Sequence, residues 1–140
     1  MNKYCKKCSI DPDSHSFKKV GEKKGVTIYY TKPGAAKLYK DKDGFIEHVD
    51  NLLSYNKKPW ICIVDGDEFD VRHATEFEIG RAMIDLISTK YSHNMTEIIV
   101  INPTWHIEGA LHFAELLITK EMASKIKTLK DRRYSILEFI

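Results

Sequence analysis

Apolar positions along the chain fall into two kinds of pattern. Two runs are continuous: Trp60-Ile61-Cys62-Ile63-Val64, opened by Pro59 and closed by Asp65, and Ile98-Ile99-Val100-Ile101, closed by Asn102. Short β-branched runs of this kind read as strands buried on both faces, and they are expected side by side at the centre of a parallel sheet. Elsewhere the apolar residues recur every three or four positions. Phe45, Val49, Leu52 and Leu53 have helical spacing behind Asp43, a candidate N-cap. Phe77, Ile84, Ile87 and Tyr91 predict a long helix over 74–91. Ile107, Ala110, Leu111, Ala114, Leu117 and Ile118 form one stripe of a helix running from Trp105 to about residue 119.

Shorter segments complete the order. Residues 15–21 and 25–31 read as two strands about a turn at Glu22-Lys23-Lys24-Gly25, and Lys32-Pro33-Gly34 stops the second. Residues 125–129 suit a further parallel strand, and 134–140 a short closing helix. Residues 1–14 lack periodicity and are expected as a flexible arm carrying a C-x-x-C pair, followed by one domain over 15–140. A hairpin followed by alternating helices and strands predicts an α/β fold with a mixed, mainly parallel sheet and packed helices.

The junction Asn102-Pro103-Thr104-Trp105 links the second buried strand to the last long helix. Proline should hold Asn102 extended, and Thr104 can cap the helix that begins at Trp105. On that helix Phe113 and Leu116 fall off the apolar stripe. Two large apolar groups beyond the face needed for docking point to a pocket, a membrane or a partner.

Length and composition add bounds. The 140 residues suit one domain, and 43% hydrophobic with 30% charged residues is an ordinary globular balance. No apolar stretch approaches the roughly 18 residues of a membrane span. The first residues have no apolar core of a secretory signal, so a cytoplasmic location is expected, with peripheral membrane attachment compatible with it. Three cysteines do not make a disulfide framework. The net charge of +2 hides an asymmetry: residues 1–44 hold eleven lysines against five acids. That surplus reads either as a face toward an anionic surface or as an ordinary solvated face.

Candidate chemistry is sparse. The glycine-rich phosphate loops and the G-x-S-x-G elbow are absent. Asp65, Asp67, Glu68 and Asp70 lie beyond a strand's carboxyl end, where α/β sheets place ligands. Asp65-x-Asp67 is similar to the nucleophile motif of magnesium-dependent aspartyl phosphotransferases, but Glu68-Phe69 stands where a small hydroxyl residue belongs. Otherwise these are capping acids in a loop. Cys5 and Cys8, with His15 nearby, supply three ligands of a four-ligand zinc site, and zinc is not expected to be needed for folding. Glu108, His112 and Glu115 share one arc of the last long helix, as a metal-binding or simply polar face.

The stretch from Glu97 through Asn102-Pro103 into a helix with Phe113, and on to Ser124-Lys125-Ile126, resembles the CRAL-TRIO family, of the phosphatidylinositol-transfer-protein type. Lys58 to Asp65 is similar to that family's strand ending in aspartate, and 135–140 to its carboxyl-terminal segment. The resemblance covers roughly 15–140 and implies a compact form without the preceding helical domain. It implies a non-enzymatic module holding a phospholipid or other small hydrophobic molecule under a gate helix, with Phe113, Leu116 and Leu117 as ligand-binding residues, no cofactor and no nucleic acid. It also implies a second reading, a BCH-type domain that binds a protein partner and has no lipid cavity.

Overall fold

A computed structural model describes residues 5–140. Five strands form one sheet in the order β1 to β5: β1 (Lys18–Lys23), β2 (Val26–Thr31), β3 (Trp60–Asp65), β4 (Met95–Ile101) and β5 (Ile126–Leu129). The hairpin β1–β2 is antiparallel and every later pairing is parallel. The two continuous apolar runs are β3 and β4, adjacent and internal as expected. The edges are protected. β1 carries Lys18, Lys19 and Lys23 with a bulge between Lys19 and Gly21, and β5 is only four residues long.

Each crossover steps in the same direction across the sheet, and right-handed connections therefore put their helices on one face. These are α2 (Lys42–Ser54), α3 (Val71–Ala74), α4 (Phe77–Leu86), α5 (Trp105–Glu115) and α6 (Lys120–Ala123), preceded by the single turn α1 (Lys6–Ile10). Alternate strand residues serve the two faces. Tyr29, Trp60 and Cys62 meet Val49 and Leu53 of α2 and Leu86 of α4 on the helical side. Ile28, Ile63 and Ile101 point the other way, where Tyr134, Ile136 and Phe139 of the carboxyl-terminal segment cover them.

Several elements differ from the sequence pattern. Helix α2 starts at Lys42 with Asp41 as its N-cap residue, so Asp43 lies in its first turn. The long helix expected over 74–91 is broken. A capping box at Asp70 and His73 starts the short α3, which ends at Thr75, and α4 starts afresh at Phe77. After Leu86 the chain widens into a π turn, Ile87–Tyr91, which brings the Tyr91 hydroxyl to the Asp50 carboxylate. The expected closing helix is one 3-10 turn, Ile136–Glu138, capped by Ser135. Of the expected flexible arm, residues 1–4 lie outside the described residues. From Cys5 on the segment is packed: Cys5, Cys8 and Ser14 are buried, and Lys37 and Leu38 donate backbone hydrogen bonds to Asp13 and Ser14.

Asn102 is not extended. Its φ is +48°, a left-handed conformation that asparagine tolerates better than most side chains. The reason is its side chain, which must turn toward the carboxyl-terminal segment. Oδ1 accepts from Tyr134 N at 2.8 Å, and Nδ2 donates to Tyr134 O at 2.9 Å and to Asp65 Oδ1 at 3.3 Å. Gly66 makes this approach of the two strand ends feasible, because a Cβ there would lie 2.9 Å from Asn102 O. Thr104 caps α5 as expected, its Oγ1 accepting from Ile107 N at 3.3 Å.

Asn102→Ala leaves two Tyr134 backbone groups without these partners and places a Cβ-only side chain at positive φ. The expected cost is about 2–3 kcal/mol in denaturant unfolding, from lost hydrogen bonds and backbone strain. Asn102→Gly should recover only the strain part.

Candidate functional site

Between the sheet and helices α4 and α5 lies a cavity of about 490 Å³. Its floor is the helical face of the sheet: Thr31 of β2, Cys62 and Val64 of β3, Ile98 of β4 and Ile126 of β5. Ile79, Gly80, Met83 and Ile84 of α4 form one wall, and Ile107, Ala110, Leu111 and Ala114 of α5 another. The volume falls within the range of about 300–1,000 Å³ typical of small-molecule sites. The walls are overwhelmingly apolar. Arg81, exposed on α4, is the single lysine or arginine in the lining.

The cavity exists because α5 docks lightly. Ile107, packed over Gly66, is its one fully buried side chain. Leu111 and Ala114, expected to seat the helix on the core, face the cavity and stay half-buried. Gly80 and Gly109 widen it: a Cβ at either position would meet nothing within 4 Å. Few buried contacts mean a low free energy of local opening.

Phe113 and Leu117, two of the three expected gate residues, line the cavity at 50% and 44% exposure. Phe113 meets Phe77 of α4 with ring centroids 5.9 Å apart, and that pair bridges the two helices at the rim. Leu116 is 81% exposed and outside the lining, whereas Trp105, at the other end of α5, is exposed and belongs to the lining.

The acidic residues after β3 are held by the protein itself. Asp65 is buried, its Oδ2 accepting from Tyr30 Oη at 2.7 Å and its Oδ1 from Asp67 N at 3.0 Å. Asp67 pairs with Arg133, Glu68 with Lys32, and Asp70 with Arg72, whose guanidinium holds the Asp70 carboxyl down at about 2. Asp65 thus ties three strand ends together. Glu108 pairs with Lys130, while His112 and Glu115 are exposed. Cys62, on the cavity floor, is raised to about 12 by burial, so its thiol stays protonated and inert.

Cys5, Cys8 and His15 do come together, and the structure adds a fourth residue, His48 of α2. The sequence pattern did not point to His48, because the search for partners stayed local to the cysteines. A signal was present: His48 lies three residues beyond Phe45 and one before Val49, on the buried stripe of α2. Burial raises the Cys8 thiol to about 11 and lowers the His48 imidazole.

A mixed α/β sheet roofed by helices over an apolar cavity is the architecture of a small-ligand-binding domain. The family model for the CRAL/TRIO domain matches residues 22–140, and the chain belongs to that family. No curated protein matches the chain's sequence. Among the described residues, no helix is long and apolar enough to cross a membrane.

Two predictions follow from the geometry of these walls. Glycine within a helix costs roughly 0.5–1 kcal/mol relative to alanine, and both cavity glycines have room for a methyl group. Gly80→Ala and Gly109→Ala should therefore each raise stability by up to about 1 kcal/mol in thermal melts. The second concerns His73, which is buried at the rim with its Nδ1 accepting from Asp70 N at 3.0 Å. Burial lowers its pKa from 6.5, opposed by the Asp70 carboxylate and helped by Arg72. Below about 6.5 the unfolded chain binds a proton here that the folded chain does not. This contribution is therefore complete above pH 7 and is lost as pH falls toward the lower folded value. His73→Gln, whose amide oxygen accepts at every pH, should flatten the decline in urea midpoint between about pH 7 and 5.

Proposed function

We propose that the protein is a non-enzymatic carrier of one small lipophilic molecule, held between the sheet and helices α4 and α5. The observation that carries this reading is the apolar cavity, together with the light docking of the helix that closes it. The ligand's apolar body would lie on Cys62, Val64 and Ile98. Phe77, Phe113 and Leu117 would part to admit it, with Phe113 and Leu117 changing from solvent to ligand contact. Glu76 and Arg81, the charged residues of the lining, favour an amphiphile with a polar end over a bare hydrocarbon. The engagement of both Asp65 oxygens supports binding without catalysis over a phosphotransferase. Exposed apolar residues on α5 and the lysine surplus of residues 1–44 fit delivery at an anionic membrane surface.

A second reading draws on Leu116, which is exposed and lies outside the cavity lining. It fits a protein partner laid along α5, as in a BCH-type interaction domain.

Native mass spectrometry of the freshly purified protein, followed by uptake of fluorescent phospholipid and fatty acid, tests the carrier. Retained or acquired ligand at one per chain is expected. Ala114→Trp should fill the cavity and abolish uptake with the fold intact. Phe113→Ser with Leu117→Ser should weaken uptake about tenfold or more, since each partly buried large side chain contributes on the order of 1 kcal/mol. Because both residues are already half exposed, thermal stability should change little, whereas Ile107→Ser should unfold the domain. A bare mass, no uptake, and a liposome or partner interaction sensitive to Leu116→Ser alone would replace the carrier by the interaction reading.

A further inference from the structure

We propose that Cys5, Cys8, His15 and His48 form a structural zinc site that fastens the amino-terminal segment to helix α2. Three of these residues lie before the span matched by the family model, so the site is a feature of this chain and stands independently of the carrier reading.

All four residues are buried, and their ligand atoms lie within 4.8 Å of one another. His15 Nδ1 is 3.4 Å from Cys5 Sγ and 3.5 Å from Cys8 Sγ, and His48 Nδ1 is 3.5 Å from Cys8 Sγ. Zinc bonds of about 2.3 Å to sulfur and 2.0–2.1 Å to nitrogen, set at tetrahedral angles, give sulfur–nitrogen edges of roughly 3.5 Å. The three sulfur–nitrogen separations of 3.4–3.5 Å therefore match edges of a zinc tetrahedron, and the other three pairs lie within 4.8 Å. Two thiolates and two imidazoles in that shape are a ligand set suited to zinc, and four protein ligands leave no open position for a substrate.

The outward nitrogens complete the case. His15 Nε2 lies 2.8 Å from Asp41 Oδ2, and His48 Nε2 lies 2.7 Å from Phe17 O. With those two nitrogens donating, each ring presents the lone pair of Nδ1 inward, toward the sulfurs. Carboxylate and carbonyl acceptors behind zinc-bound histidines are the arrangement that fixes ring orientation and tautomer in metal sites. Gly44 leaves the room that the Asp41 carboxylate occupies, and Lys7 pairs with the same Oδ2 that His15 meets. The site thus joins α1, the strand-leading residues His15 to Phe17, and α2 at one point. His15 and Ser16 also line the cavity, so the zinc would steady one of its walls.

The test uses the full chain, expressed with zinc and dialysed free of loose metal. Elemental analysis should find one zinc per chain, and Cys5→Ser, Cys8→Ser or His48→Asn should reduce this to near zero. Replacement by Co2+ should give tetrahedral d–d absorption and a thiolate-to-cobalt charge-transfer band in the wild type. Cobalt titration of the refolded wild type keeps the test valid if His48→Asn fails to fold. Chelation should lower the melting temperature and open the amino-terminal segment to trypsin at Lys6 and Lys7. Less than a tenth of a zinc per chain with no cobalt spectrum would overturn the proposal, leaving reduced thiols hydrogen-bonded to imidazoles. Full zinc in a folded His48→Asn variant would overturn the four-ligand set.

Discussion

The order of the sheet governs the rest of the molecule. Because β2, β3, β4 and β5 follow one another in space as in sequence, all crossovers step the same way, and their common handedness confines the crossover helices to one face. Two consequences follow. The opposite face, with Ile28, Ile63 and Ile101, must be sealed by something other than a crossover, and the carboxyl-terminal segment does it. On the helical face α2 and α4 pack over β2 and β3 through Val49, Leu53 and Leu86, while α5 arrives last with Ile107 alone fully buried. The cavity forms where the helical layer is thinnest.

Asn102 connects these two consequences. It sits at the end of β4, immediately before the turn that launches α5, and its side chain holds Tyr134 on the far side of the sheet. The end of the strand that leads into α5 is thereby clamped to the segment that closes the opposite face. Thr104 adds a second fixed point, capping Ile107 N and donating to Phe69 O at 2.7 Å. The amino end of α5 is thus held, and its carboxyl end, with Phe113 to Leu117, is the freer one. A gate that swings from a pinned end needs this asymmetry.

The strands were legible because continuous β-branched runs leave little ambiguity, and the parallel order followed from their alternation with helical patterns. Helix limits were less so. The break between α3 and α4 falls at Thr75 and Glu76, where Thr75 N donates back to His73 O and Val71 O, a stop that apolar spacing alone does not signal. Asn102 was misjudged because the following proline disfavours one region for its backbone, while a long-range side-chain bond rewards another. The gate helix was half legible. A helical wheel separates Leu111 and Ala114 from Phe113 correctly in angle, yet it carries no information on whether the face toward the sheet touches it. His48 stayed hidden for a different reason: metal ligands converge through the fold, and 32 residues separate it from His15.

The cavity's own energetics bear on what it is for. The cavity opens to solvent along the rim formed by Phe77 and Phe113, so without a ligand its apolar lining stays in contact with water. A chain with no use for the space would be expected to close it, and the means are simple: a methyl group at Gly80 or Gly109, or a larger residue at Ala110 or Ala114. Instead small residues stand on the cavity side of both helices, and α5 keeps its apolar stripe turned toward open volume. For a carrier, the ligand supplies the missing contacts when α5 is docked, and α5 can move outward about Thr104 when the ligand leaves. Ligand uptake and helix closure then become one coupled step, because each removes the same apolar lining from water.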